Sequence, residues 1–563
     1  MQNRIEKSMF ISLLVLALLG TMVPASAQHR YVNPVLHLDY SDPDVCRVGD
    51  DYYLTASSFN QIPGLPILHS RDLVRWERIG AALPGIVRWH RTVRQAPPAH
   101  GKGVWAPSIR YHDGWFYIFY GDPDQGIFQI RTQHPAGRWE APVPVVKGKG
   151  FIDPCPLWDD AGRAWLSFAC AGSRAGLKSV ILVAEMDPSG EKLLSPPRIV
   201  YDGHATQPTI EGTKFYQRDG QYYIFAPAGG VATGWQTVLR AADPYGPYEE
   251  RVVLAAAKGT VNGPHQGAWV ETPSGEHWFL HFQDKGAYGR IVHLQPMVWK
   301  DDGWPLIGKD PDGDGVGQPV TGGPVPHVAA SSAQAADEGY RPLGLPLEWQ
   351  YPDAPSPLWH YALPSDGVRL FAVEQGSYVR NLWDCNNLLQ QMFPAERFTV
   401  TARLDFRPKA GHGERAGFAV MGRDYASLVL DENGSLQYVI CQNADKGSAE
   451  TARPLCQIPL RRTKPSYPYA SPGVPDVNYP EVVEMSLWVR LTVNPHPVEG
   501  NVPEAVCRFS YSLDGTSFTQ VEESFTAREG MWIGARWGFF CNASASSNDA
   551  GSLDVTQLEV EPK

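Results

Sequence analysis

Five times in the first half of the chain a short polar turn opens into an aromatic strand. The copies read Asp50-Asp51-Tyr52-Tyr53-Leu54, Asp113-Gly114-Trp115-Phe116-Tyr117, Ala161-Gly162-Arg163-Ala164-Trp165, Asp219-Gly220-Gln221-Tyr222-Tyr223 and Ser274-Gly275-Glu276-His277-Trp278. Their turns, at 51, 114, 162, 220 and 275, recur every 48 to 63 residues, close to the roughly 40–50 residues of a four-stranded propeller blade. Five copies predict five blades. The pattern ends near Trp299–Pro305, and glycine, proline and alanine then dominate through Ala336, the composition of a connector. From about Glu348 short alternating segments resume, such as Phe398–Leu404 and Ala416–Met421. With turns between them and no long helical periodicity, they predict a β-sandwich. The expected chain is all-β: a signal peptide over 1–27, a five-bladed β-propeller over 28–320, a linker over 321–345 and a β-sandwich over 346–563.

In a radial fold, equivalent positions on the innermost strands face one another across the axis. Nine residues before the turns at 51, 162 and 220 stand Asp42, Asp153 and Glu211; His265 stands ten before Gly275, and Ala106 eight before Gly114. Three carboxylic acids and a histidine are thereby predicted to meet at one mouth of the channel. Taken singly, each acid also reads as a turn or cap residue, since Asp42-Pro43 and Asp153-Pro154 are turn-starting dipeptides.

Composition narrows the chemistry. Among 563 residues the formal net charge is −11, with no basic cluster for a nucleic acid, so a neutral or cationic small ligand is expected. Arg4 and Lys7, the apolar run Met9–Leu19 and Ala25-Ser26-Ala27 before Gln28 form a cleavable secretory signal. About a dozen apolar residues are too few to span a bilayer. The mature protein is expected in the periplasm or outside the cell, with no membrane insertion. Of eight cysteines, Cys441 and Cys456 form the one attractive local pair, while Cys46, Cys155 and Cys170 read as buried thiols. Asp310, Asp312, Asp314 and Gly315 imitate a calcium loop, but Thr321 holds the place of its final acid, so a glycine-aspartate turn is expected.

Convergent carboxylates in aromatic surroundings, without a serine-nucleophile, phosphate-loop or redox motif, point to glycoside hydrolysis. There one acid protonates the leaving oxygen while another takes a proton from water. A third carboxylate nearby keeps the acid protonated.

The stretches Asn33-Pro34-Val35-Leu36, Ser41-Asp42-Pro43-Asp44-Val45, Pro63-Gly64-Leu65-Pro66 and His69–Trp76 closely resemble glycoside hydrolase family 43. So do Trp105-Ala106-Pro107-Ser108, Ile152-Asp153-Pro154, Glu211-Gly212, Ala226–Gly230, His265-Gln266-Gly267 and Gly289-Arg290. The similarity runs from about residue 31 to 320. Gly417–Ala426 extends it to the concanavalin-like sandwich of the family's β-xylosidase-like members. The resemblance implies an inverting hydrolase with Asp42 as general base, Asp153 as the acid that tunes and orients, and Glu211 as general acid. It further implies Arg290 on sugar hydroxyls, Phe59 and Trp105 as pocket aromatics, and a sandwich that closes the pocket edge. His265 matches a histidine beneath the site, beside which some relatives hold calcium; a structural or electrostatic role is expected, any metal contact being indirect. No organic cofactor is implied, and one structural Ca²⁺ near the axis is the only ion.

The expected activity is exo-hydrolysis of terminal β-D-xylose or α-L-arabinofuranose from xylan, arabinoxylan or arabinan of plant origin. An arabinanase or galactosidase of the same family, and a non-catalytic carbohydrate-binding protein, are the alternatives. Val231, where β-xylosidase relatives often carry threonine, leaves the preferred sugar open.

Overall fold

The computed structural model describes residues 29–85, 96–257, 262–327, 339–364, 366–463 and 481–563; the signal segment lies outside them. Each copy of the turn-and-aromatic repeat writes one antiparallel sheet of four strands, and five such sheets stand around a common axis. The innermost strands are Asp44–Val48, Trp105–His112, Phe151–Trp158, Lys214–Arg218 and His265–Glu271, one each for blades one to five. Gly114, Gly162, Gly220 and Gly275 close the turns that follow blades two to five's inner strands. Their φ values lie between +73° and +83°, and a Cβ there would meet nothing, so backbone conformation rather than space selects glycine.

The aromatic and β-branched residues fill five seams between neighbouring blades. Tyr52 and Leu54 pack with Trp278 and Leu280 between blades one and five, Phe119 with Phe168 between two and three, and Phe225 with Phe279 between four and five. Each fully buried side chain of this kind contributes about 1.5–3 kcal/mol. The ring is fastened where its ends meet: Arg30–Val32 pairs with Gly322–Pro324, and Leu36 exchanges backbone hydrogen bonds with Val292 of blade five.

The second unit is a sandwich with sheets of nine and seven strands among the described residues. Strand Val482–His496 shows the expected alternation, burying Met485, Leu487, Val489, Leu491 and Val493 against Phe418, Trp537 and Phe539. The connector expected over 321–345 is described only at its ends. Both are tied to the propeller, the second through Tyr340, whose amide donates to the Ala136 carbonyl while Arg138 lies over its ring.

The two units share a continuous interface. Tyr351–Pro352 pairs with Gln61–Ile62, Trp383 stacks on His100 at 3.7 Å, and Ala287 and Tyr288 of the propeller lie in the sandwich core.

Two sequence expectations resolve differently. Cys441 and Cys456 are both free thiols. On the paired strands Ser435–Cys441 and Thr451–Gln457, Cys456 stands opposite Leu436, five residues from Cys441 and far beyond disulfide reach. The Asp310–Gly315 segment is a turn, as expected: Asp310 accepts from the Gly313 and Gly315 amides, Asp314 from Val316, and Asp312 from the Gln318 side chain.

Candidate active site

The five aligned positions all lie at the same end of the innermost strands. Irregularities there aim side chains at the axis: pairing in blades two, three and five skips a register step next to Ala106, Asp153 and His265. Asp42 and Asp153 adopt φ of +54° and +57°, a conformation that non-glycine residues hold only when surroundings enforce it.

Asp42 is 5% exposed, and its Oδ2 accepts from the Ser41 hydroxyl at 2.8 Å and the Ser57 hydroxyl at 2.5 Å. Arg290 lies across from it, Nη1 to Oδ1 being 3.7 Å, while that nitrogen also donates to Ser41 Oγ at 2.7 Å. Asp153 is 2% exposed and accepts from the Gly212 amide at 2.7 Å, so the residue after Glu211 is clamped to the carboxyl of blade three. Gly212 is required there: its φ is +63°, and a Cβ would overlap Gln266 and Pro227.

Burial pushes the Asp153 carboxyl up to about 7, and the charge of Asp42 adds to it, against the pull of the Gly212 amide and Lys214. Glu211 goes further, to about 8, through burial and then the charges of Asp153 and Asp42, opposed by Arg290 and Lys178. Coupled carboxyls in one site share protons in this way. His265 is 1% exposed with Nε2 3.7 Å from Glu211 Oε1, and neither ring nitrogen has a hydrogen-bond partner. Burial drops its pKa to about 3, so the imidazole is neutral.

The flanking residues assemble around this core. Phe59 is buried, at φ +50°, and exchanges backbone hydrogen bonds with Val104, which sets it beside Trp105. The Trp105 indole is fixed by a bond to the Gly101 carbonyl. Arg290 sits over Phe282 at 4.9 Å.

Sequence reasoning missed two residues. Trp532, from the sandwich, stands edge-on to Trp105 at 6.4 Å and 5.8 Å from the Arg290 guanidinium, half-exposed and at φ +66°. Asp39 is the pin beneath it: one oxygen accepts from the Arg290 amide at 2.8 Å, the other from the Gly534 amide at 2.9 Å, with Arg536 at 3.5 Å. Gly289 admits Asp39 by having no Cβ. Replacing Asp39 by alanine leaves the buried Arg536 uncompensated, which costs about 3 kcal/mol. It also frees the Trp532 loop. Thermal unfolding and steady-state kinetics are expected to show a lowered Tm together with a raised KM.

Comparison with known proteins fits this arrangement. Residues 31–305 match the family described as Glycosyl hydrolases family 43, and residues 340–561 the β-xylosidase C-terminal concanavalin A-like domain. A protein of Xylanibacter ruminicola is 44% identical over 314 residues, a match spanning 55% of this chain and 58% of that protein. A non-reducing end α-L-arabinofuranosidase of Bacteroides ovatus is 31% identical, covering 75% of this chain and 80% of its own. A β-xylosidase of Formosa agariphila is 28% identical over 93% of this chain and 89% of its own. The crystal structure of xylan β-1,4-xylosidase from Bacillus halodurans superposes with a TM-score of 0.73 at 21% identity, covering 94% of this chain and 100% of that one, which shows a common fold. With a two-domain match in sequence and a carboxylate trio at the propeller mouth, the chain belongs to glycoside hydrolase family 43.

Proposed function

We propose that the protein is an exported, inverting exo-glycosidase that removes terminal β-D-xylose or α-L-arabinofuranose from plant xylan, arabinoxylan or arabinan fragments. The observation that carries the reading is the unequal trio. Glu211 is held protonated up to about pH 8, whereas Asp42 is ringed by two hydroxyl donors and faces Arg290.

In this mechanism Glu211 gives its proton to the glycosidic oxygen as the bond breaks. Asp42, on the opposite side of the sugar, takes a proton from the attacking water. Inversion calls for room for that water, about 6.5–9.5 Å between base and acid. Asp153, clamped to Gly212, orients Glu211 and keeps it protonated by its charge. Arg290 supplies donors to sugar hydroxyls, and Phe59, Trp105 and Trp532 wall the ring. Exo action is supported by the non-reducing end α-L-arabinofuranosidase relative and by Trp532, which the sandwich sets beside Trp105 and Arg290 at one side of the site. The pentose is supported by the β-xylosidase and arabinofuranosidase relatives. Export is supported by the Arg4–Ala27 leader.

The test is hydrolysis of p-nitrophenyl β-D-xylopyranoside and α-L-arabinofuranoside by the protein starting at Gln28, with the released sugar followed by proton NMR. Turnover of at least one, with the inverted anomer appearing first, is expected. Silence on both from folded protein, or release with retained configuration, overturns the proposal.

A further inference from the structure

The chain carries a formal net charge of −11, yet one stretch of the rim around the site has the opposite sign. Four loop segments of blades two and three, 99–104, 123–125, 148–150 and 171–179, hold Lys102, Lys149, Arg174 and Lys178. The only carboxylate within them is Asp124. His100 is buried there and neutral, its pKa lowered to about 4.

Backbone contacts tie these segments together and to the catalytic acids. The Gly150 amide donates to the Pro123 carbonyl at 2.8 Å, and the Ala171 amide to the Gly150 carbonyl at 2.8 Å. Gly150 packs so closely on Ala175 that a side chain there would meet it at 2.6 Å, and Asp153 follows three residues later. Ser179, next to Lys178, accepts from the Thr209 amide at 2.8 Å, two residues before Glu211. The cationic rim therefore stands on the Asp153 and Glu211 side of the site, where the leaving part of a glycan departs.

Arg174 reaches the pocket wall itself, its guanidinium 5.8 Å from the Trp105 ring. Its Nε donates to Asp124 Oδ1 at 3.1 Å and its Nη1 to Ser173 Oγ at 2.9 Å. Lys102 takes the other oxygen of Asp124, at 3.3 Å. One carboxylate thus serves two cations. Lys149 and Lys178 are exposed, and neither forms an ion pair among the described residues. Converging cations repel one another, and an anion placed among them relieves that repulsion. Arginine's planar fork suits a carboxylate in particular.

We infer that this rim is a subsite for a carboxylate borne by the leaving part of the substrate, a uronic acid branch on the glycan chain, held by Arg174 with Lys149 and Lys178 beside it. The net charge led to the expectation of a neutral or cationic ligand; the local sign at the rim reverses it. The inference rests on the reading of the protein as an exo-acting pentosidase with Glu211 as general acid.

The experiment uses two oligosaccharides of equal length, ended by whichever pentose the aryl glycosides show to be cleaved. One carries glucuronic acid on the residue next to the terminal pentose, and the other is unsubstituted. The preference is the ratio of their kcat/KM values for one enzyme. For the wild type it is expected to be about fivefold to tenfold in about 20 mM salt and to fall within about twofold in about 500 mM. The methyl ester of the uronic acid, which keeps the bulk and loses the charge, is expected to lose the preference at low salt. Arg174→Gln and the double variant Lys149→Gln with Lys178→Gln should each reduce it to about two or less, while Arg174→Lys retains part of it. Because each preference is a ratio within one enzyme, a disturbed Trp105 lowers both terms and cancels.

A wild-type preference of one or less overturns the inference. So does a preference that survives high salt, the methyl ester or the charge-removing variants. If Arg174→Gln does not fold, the lysine pair, the ester and the salt series still decide. Silence on both oligosaccharides and on the aryl pentosides would instead remove the pentosidase reading. Calorimetry with the two oligosaccharides then decides the rim alone: tighter, salt-sensitive binding of the charged one sustains the subsite, and equal binding overturns it.

Discussion

Asparagine at position 42 is expected to lower kcat/KM on both aryl pentosides by about 10³- to 10⁴-fold, the upper part of the range for general acid–base groups. The substitution is nearly isosteric, and the Ser41 and Ser57 hydroxyls that now donate to Oδ2 can donate to an amide oxygen instead. Geometry and stability should therefore survive while the ability to accept a proton from water is lost. Arg290 loses its facing charge at 3.7 Å, so a modest rise in KM accompanies the fall in kcat. Because departure of the aglycone does not involve Asp42, a better leaving group should not rescue the variant. Added azide, a nucleophile that needs no deprotonation, should restore turnover. Residual activity above about a tenth of the parent would show that another group activates the water.

Glutamine at position 211 is expected to behave in the opposite way with respect to the leaving group. Loss should reach about 10³-fold on xylobiose or arabinobiose, whose alkoxide needs a proton, and stay within about tenfold on the p-nitrophenyl substrate, whose phenolate departs unaided. The alkaline limb near pH 8 set by Glu211 should vanish with it. Stability should also vary with pH in a direction that Glu211 sets. A carboxyl raised from 4.5 to about 8 in the folded protein favours folding relative to its charged form only while protonated. Its penalty is absent below pH 4.5, grows between 4.5 and 8, and is complete above. The glutamine variant should thus match the wild type in Tm at the acid end and exceed it increasingly toward pH 8. A Tm difference that is flat with pH would mean that Glu211 is not the raised carboxyl.

The propeller was legible because its signal is local and repeated. Each blade needs a left-handed glycine turn and an aromatic strand, and both are written in consecutive residues such as Asp219-Gly220-Gln221-Tyr222-Tyr223. Alignment on those turns carried Asp42, Asp153, Glu211 and His265 to one end of the channel, since symmetry converts spacing into direction. Asp39 had no such help. Its partner Gly534 is 495 residues away, and nothing in the His37-Leu38-Asp39-Tyr40 stretch tells a buried pin from a solvated acid. Trp532 sits in a loop of a non-repeating sandwich, among 18 tryptophans of the chain. The cysteine pairing is not legible because proximity in sequence says nothing of strand register, which sets Cys456 against Leu436.

Since the carboxylates ride on the propeller and Trp532 on the sandwich, the proposed proton-transfer groups and one wall of the proposed sugar site belong to different halves of the chain. A substitution of Trp532 alters that wall without touching a proton-transfer group. The sandwich can therefore vary at Trp532 while the proposed proton-transfer groups of the propeller stay as they are.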